Sequence, residues 1–260
     1  MSLPLRGATP TDAYSGRRLL HRALVVVHFS PVLKIADASG AGIADFQDDL
    51  RAEYPEVAIE SEYMLHFEVR PEGVQTRQQA VPVWRFADVG RRWRMSLTSE
   101  SVSLDVGDGY LSADDLGDRI QRIIQGISAH FKPAQARRVG VRFANAAALD
   151  EGEDPRQECA RELVSISGHP DLLQSDLLWR FAVDEGTLIL RSGVLFPGTS
   201  YDPGIFEPKN ERNWYLDIDV ARDAPLDFSA PVICAAIEGQ VKRVHAVYRW
   251  AMPNGRAVGE

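Results

Sequence analysis

The chain has 260 residues, 45% of them hydrophobic and 25% charged, with a net charge of −8, a composition that supports a sizeable globular core. That acidity argues against general nucleic-acid binding through a basic surface, although a local arginine cluster keeps its own chemistry. Apolar runs such as residues 23–27 are far too short to span a bilayer. Two cysteines without C-x-x-C spacing suit a reducing, cytoplasmic setting.

Residues 1–21 read as an N-terminal arm, rich in Pro, Thr, Ser and Gly, with no apolar stretch of signal-peptide length. Residues 22–132 make a first unit. Its Val-dense opening, residues 23–29, predicts a strand bounded by Pro31. Ile43, Phe46, Leu50 and Tyr54 then recur at helical spacing, and Pro55 ends that helix. Strand-like runs follow at 59–70, 81–86, 93–97 and 101–106, with a turn at Gly90. The unit closes with a helix capped by Ser112 and Asp115, whose stripe is Leu116, Ile120, Ile124, Ile127 and Phe131. Pro133 stops it.

Residues 138–252 make a second unit, followed by a tail at 253–260. Residues 139–143 match the opening strand, and a helix is expected over 155–167 with Cys159, Leu163 and Ile166 on one face. Residues 177–183, 188–195 and 214–220 read as strands. A last helix begins near Ser229, with the stripe Ile233, Ile237, Val241, Val244 and Tyr248, spaced as in the first closing helix. The tetrapeptide Trp-Arg-Phe-Ala occurs in both units, at 84–87 and 179–182, each time followed by an aspartate and a glycine. Matching order and spacing point to internal repetition. The expected class is α+β: a tandem pseudo-duplication of a β-α-β-β-β-α unit. Helices would pack on one face of a curved, mostly antiparallel sheet, as a saddle or a closed barrel. The short connection at 134–138 makes one compact body of the two units.

Several segments resemble a known family. They are Tyr54-Pro55-Glu56-Val57, the strand at 84–86, Arg138-Val139-Gly140-Val141-Arg142-Phe143-Ala144-Asn145, Tyr215-Leu216-Asp217-Ile218-Asp219-Val220, and the last helix with His245 and Tyr248. The chain is similar over residues 19–252 to a sporadically distributed, conserved-hypothetical group of prokaryotic proteins of like length. The resemblance implies a cytoplasmic protein of no settled activity, and patchy distribution would fit a defence-linked or mobile gene context.

Strand alternation sorts side chains onto two faces. With Trp84 and Phe86 inward, Arg85 points away. The same parity sends Arg92 and Arg94, Arg142, Arg180 and Arg191 to the face without helices, with His28 at the place in unit one that Arg142 holds in unit two. Guanidinium groups grip phosphates and carboxylates bidentately. Such a face suits a nucleotide, a polyphosphate or an acidic peptide; equally, each arginine can pair with a neighbouring carboxylate on a solvated sheet face.

Asp217 and Asp219, two apart on one strand, share a face with Tyr215 and form a candidate Mg²⁺ pair or salt-bridge partners for the arginines. Glu60 and Glu62 form a second acidic pair. Arginine rows with acidic pairs are similar to enzymes that hydrolyse triphosphates inside a β-tunnel, but Met64 stands where their Glu-x-Glu-x-Lys motif needs lysine. No two histidines have the i, i+4 placement of a helical zinc site, and Cys159 and Cys234 read as core residues. No nucleophile elbow, P-loop or dinucleotide fingerprint is present, and Gly107-Asp108-Gly109 reads as a turn. Residues 196–213, punctuated by proline and glycine and carrying Tyr201, Ile205 and Phe206, form either a binding loop or a flap over the sheet.

Two functional readings follow. The first is a non-enzymatic binding or adaptor protein that engages a protein partner, with no cofactor and no membrane. Its candidate contacts are Arg85, Arg94, Arg142, Arg180, Tyr201 and Phe206. The alternative is a metal-dependent enzyme or sensor acting on a phosphorylated small molecule, with Mg²⁺ on Asp217 and Asp219 and the arginines on phosphate.

Overall fold

A computed structural model describes residues 3–7, 19–70, 73–107, 109–149, 159–164, 169 and 171–253. In chain order the first half contains β1 (Leu20–Phe29), α1 (Ala44–Leu50), β2 (Glu56–Arg70), β3 (Gly73–Ala87), β4 (Trp93–Leu97), β5 (Ser101–Val106) and α2 (Ala113–His130). The second contains β6 (Gln135–Ala148), α3 (Arg161–Val164), β7 (Ser175–Val183), β8 (Gly186–Leu195), β9 (Asn213–Arg222), β10 (Leu226–Asp227) and α4 (Ala230–Ala251).

All strands join one antiparallel sheet. Val-rich β1 and β6 pair at its middle, with Val25 opposite Val141. From β1 the sheet runs outward through β5, β4 and β3 to β2; from β6 it runs through β9 and β8 to β7. The short β10 pairs with the start of β6. The sheet is open, with β2 and β7 as its edges, so the barrel alternative is not the one this chain adopts. β3 meets β4 only through Trp84 to Ala87; the rest of the β2–β3 hairpin pairs with itself.

One face carries the core. Ala23, Val25, Val27 and Phe29 of β1 are buried, as are Val139, Val141 and Phe143 of β6. Their partners are the apolar stripes of α2 (Leu116, Ile120, Ile123, Ile124, Ile127) and α4 (Ile233, Ile237, Val241, Val244, Val247), which pack on each other. Each such side chain contributes roughly 1.5–3 kcal/mol by leaving water. The two halves therefore share one core. Ser112 caps α2 as its spacing predicts, its Oγ accepting from the Asp115 backbone N–H at 3.1 Å.

The strand count departs from the expected unit. Four strands separate the two helices of the first half, matching the four strand-like runs of the sequence and exceeding by one the three of the β-α-β-β-β-α unit. The first helix covers only Ala44–Leu50, although Ile43 and Tyr54 are buried beside it. Of the helix expected at 155–167, Arg161–Val164 is helical and Cys159 and Ala160 precede it as non-helical backbone; residues 155–158 and 165–167 lie outside the described set. So do most of the arm, the tail beyond Pro253, and Asp108 of the expected turn. The expected arm also ends early, since Leu20 and His21 already belong to β1.

The two Asp-x-Gly turns share letters but not geometry. At the β3–β4 turn it is Arg91, φ 52°, that takes the left-handed conformation. At the β7–β8 turn Gly186 has φ 133°, and a Cβ there would fall 2.2 Å from the Ala221 carbonyl oxygen, so only glycine fits.

Candidate functional site: the outer face of the sheet

Alternation along each strand sends charge to the face that the helices leave uncovered. Across the sheet the charges alternate in sign. On β3, Arg85 donates from Nε to Glu60 at 2.9 Å and from Nη2 to Glu62 at 3.0 Å, and from Nη1 to the Ser96 hydroxyl. On β4, Arg94 donates to Asp105 of β5 at 3.0 Å. Asp105 is also gripped bidentately by Arg22 of β1, at 2.7 and 2.6 Å. On β6, Arg142 holds Asp217 of β9 through three contacts of 2.6 to 3.0 Å. On β8, Arg191 holds Asp176 of β7, with Nε to Oδ1 at 2.7 Å. Each central strand thus lends an arginine to a carboxylate on the strand next to it, Arg22 to Asp105 and Arg142 to Asp217.

The segment 196–213 is a flap lying on the second half of this face. Its mouth is pinched by a bond from Gly198 N–H to the Lys209 carbonyl at 2.7 Å. Phe206 is buried beside Leu195 and Tyr215, edge-on to His21 with centroids 5.0 Å apart. Tyr201 stacks on Tyr215 at 4.2 Å, and the Arg191 guanidinium lies over the Tyr201 ring at 4.9 Å. Asp202 accepts from Arg142 at 3.0 Å and from Gly204 N–H at 3.2 Å. The Gly204 carbonyl accepts from Arg22.

Burial under the flap reshapes the titrations. For Arg142, burial works against the charge, but the bonds from Asp217 and Asp202 outweigh it and raise the pKa above the ordinary arginine value. Burial, then the Asp217 charge, pushes the Tyr201 hydroxyl up; burial, then the bond to Asp176, does the same to Tyr215. The Arg191 bond holds Asp176 below the usual carboxylate range, and burial lifts Asp219 above it.

The first half of the face stays open. A hollow of about 480 Å³ is lined by Arg22, Arg85, Arg91 and Arg94 together with Glu56, Glu60 and Asp105. Arg85 and Arg22 are fully engaged. Arg91, whose side chain is 75% exposed, makes one side-chain contact, to Glu56; Arg94, 57% exposed, makes one, to Asp105. Their other guanidinium N–H groups have no partner among the described residues.

The predicted site residues therefore fall into three places. Arg85 and Arg94 line the hollow. Arg142, Asp217, Tyr201 and Phe206 lie together beneath or within the flap, with both Asp217 oxygens bonded to Arg142. Arg180 is exposed on edge strand β7, apart from both, with no ion pair among the described residues. Asp219 faces Arg142 in register, and among the described residues no three His, Cys, Asp or Glu side chains converge for a metal ion. Sequence reasoning passed over Arg22, Arg91, Asp105, Asp176 and Asp202. Parity would have found Arg22 and Asp105, since each lies an even number of residues from an outward neighbour on its own strand. No family model matches the chain, and no curated protein is significantly similar to it.

Proposed function

We propose that this is a non-enzymatic binding or adaptor protein that takes an acidic segment of a protein partner into the open hollow of the first half. The observation that carries this is the contrast in arginine occupancy. Under the flap Arg142 and Arg191 are neutralised by carboxylates of the chain; in the hollow, Arg91 and Arg94 keep guanidinium N–H groups without a partner among the described residues, at the surface of an otherwise acidic protein. Guanidinium forks select carboxylate-bearing ligands by geometry as well as charge.

The same reading includes two further elements. One is a tandem duplication about the β1–β6 pair, supported by the two Trp-Arg-Phe-Ala copies, which lie in β3 and β7, each third outward from its central strand. The other is the family resemblance with its cytoplasmic, defence-linked or mobile-gene setting, supported by the adjacency of the Arg138-to-Asn145 and Tyr215-to-Val220 segments on paired β6 and β9.

The test is calorimetric titration of the full chain with a glutamate-rich peptide. Saturable binding that weakens with added salt is expected, and the double variant Arg91→Ala, Arg94→Ala should abolish it. Thermal melts with Mg²⁺ and nucleotides probe the alternative of a phosphate-directed enzyme or sensor: a rise in midpoint with Mg²⁺-nucleotide, and no peptide binding, would replace the adaptor reading.

A further inference from the structure

The two edges of the sheet differ in how they meet a second copy of the chain. An uncovered edge presents unpaired backbone N–H and C=O groups and is a template for strand addition unless charge, proline or a bulge blocks it. On β2 the outward-face residues are Glu56, Ala58, Glu60 and Glu62. Antiparallel self-pairing centred anywhere from Ala58 to Ser61 sets glutamate opposite glutamate, which is unfavourable.

Edge strand β7 reads Ser-Asp-Leu-Leu-Trp-Arg-Phe-Ala-Val, with no proline, lysine or glycine, and its register against β8 is unbroken from Ser175 to Val183. Its outer face shows Asp176, Leu178 and Arg180; its helix-side face shows Leu177, Trp179 and Phe181, only partly covered. Leu178 is 57% exposed.

We propose that two copies join antiparallel through β7 about a two-fold axis at Leu178. That register is set by charge. Centred on Leu178, residues whose numbers sum to 356 lie opposite, so Asp176 meets the partner's Arg180, Arg180 meets the partner's Asp176, and Leu178 meets itself. On the helix side Leu177 and Trp179 pair crosswise. Moving the centre by one residue either way breaks both ion pairs. An isologous pairing of this kind closes as a dimer and does not propagate. It continues the sheet across both copies with all helices on one side. It also supplies a partner for Arg180, which has no ion pair among the described residues of its own chain.

Sedimentation of the full chain over a concentration series tests this, with Arg180→Asp as the disrupting variant and circular dichroism to verify its fold. A monomer–dimer equilibrium is expected, with the dissociation constant raised roughly tenfold by Arg180→Asp as two attractive pairs become repulsive. Register is read by oxidative cross-linking. Leu178→Cys places two thiols on the axis, at strand-pair Cα separations of about 4.5–5.5 Å that a disulfide tolerates. Arg180→Cys faces Asp176 and should not cross-link. A chain that stays monomeric throughout, a dimer indifferent to Arg180→Asp, or equal cross-linking by both cysteine variants would overturn the proposal.

Discussion

The outer face carries nearly the same charge kit in its two halves, and the halves use it differently. In the first half, Arg85, Arg94, Glu60 and Glu62 are in contact with solvent, and only the Arg22–Asp105 pair is largely buried. In the second, Arg142 and Arg191 alternate with Asp217 and Asp176 beneath a flap. The flap changes what a guanidinium–carboxylate pair is worth. In solvent the attraction is screened and the pair is nearly neutral in energy. Under Tyr201 and Phe206 the same pair loses water, so each partner depends on the other. One half thus has its charge locked into the fold, and the other keeps it available for a ligand.

The sharpest way to break this comparison is to remove the covered arginine. Arg142→Ala strands Asp217, whose side chain is only 5% exposed, and unties Asp202 from the flap. The expected cost is about 3–5 kcal/mol, read as a lower urea midpoint with near-native slope. A cost below about 1 kcal/mol would mean that the flap does not isolate its charges from water. Arg85→Ala is the matched change in the open half. Arg85 bonds to two glutamates that are each more than half exposed, so the expected loss is about 0–1 kcal/mol.

Much of this pattern is legible in the amino-acid order, and the reasons for the rest are physical. Parity along a strand is local, so the outward placement of Arg85, Arg94, Arg142, Arg180 and Arg191 follows from their apolar neighbours. Which carboxylate each arginine meets is not local. Arg142 and Asp217 are 75 residues apart and meet through the register of β6 on β9. The flap's length and proline content are visible, but its closure over the sheet depends on Leu195 and Tyr215 receiving Phe206. The β2–β3 hairpin ran longer than expected because backbone pairing carried strand structure through the polar stretch 75–79, overriding weak β propensity. Even the repeated Trp-Arg-Phe-Ala takes context from its surroundings. Trp84 is buried and donates to the Ile35 carbonyl at 3.0 Å, whereas Trp179 sits half-covered at an edge, lining a hollow with Leu163 of α3 and Trp250 of α4.

Asp219 sharpens the comparison most finely, because it lies in the covered half yet has, among the described residues, no bond of the kind that fixes Asp217. Burial raises its pKa above the usual carboxylate range, with the nearby positive charges of Arg138 and Arg142 only partly opposing the shift. A carboxyl whose pKa is higher folded than unfolded binds its proton more tightly in the folded state. Its favourable contribution is therefore complete below the unfolded value and fades as the pH rises through the folded one. At neutral pH the wild type holds a half-buried carboxylate that folding disfavours. Asp219→Asn removes that charge at similar volume, so it should stabilise the protein at pH 7 and give no gain at pH 3. Urea unfolding of both proteins across that range reads the difference. A variant less stable than wild type at pH 7 would show that the Asp219 charge is instead bound by Arg138 or Arg142, and that the covered half leaves no carboxylate unpaired.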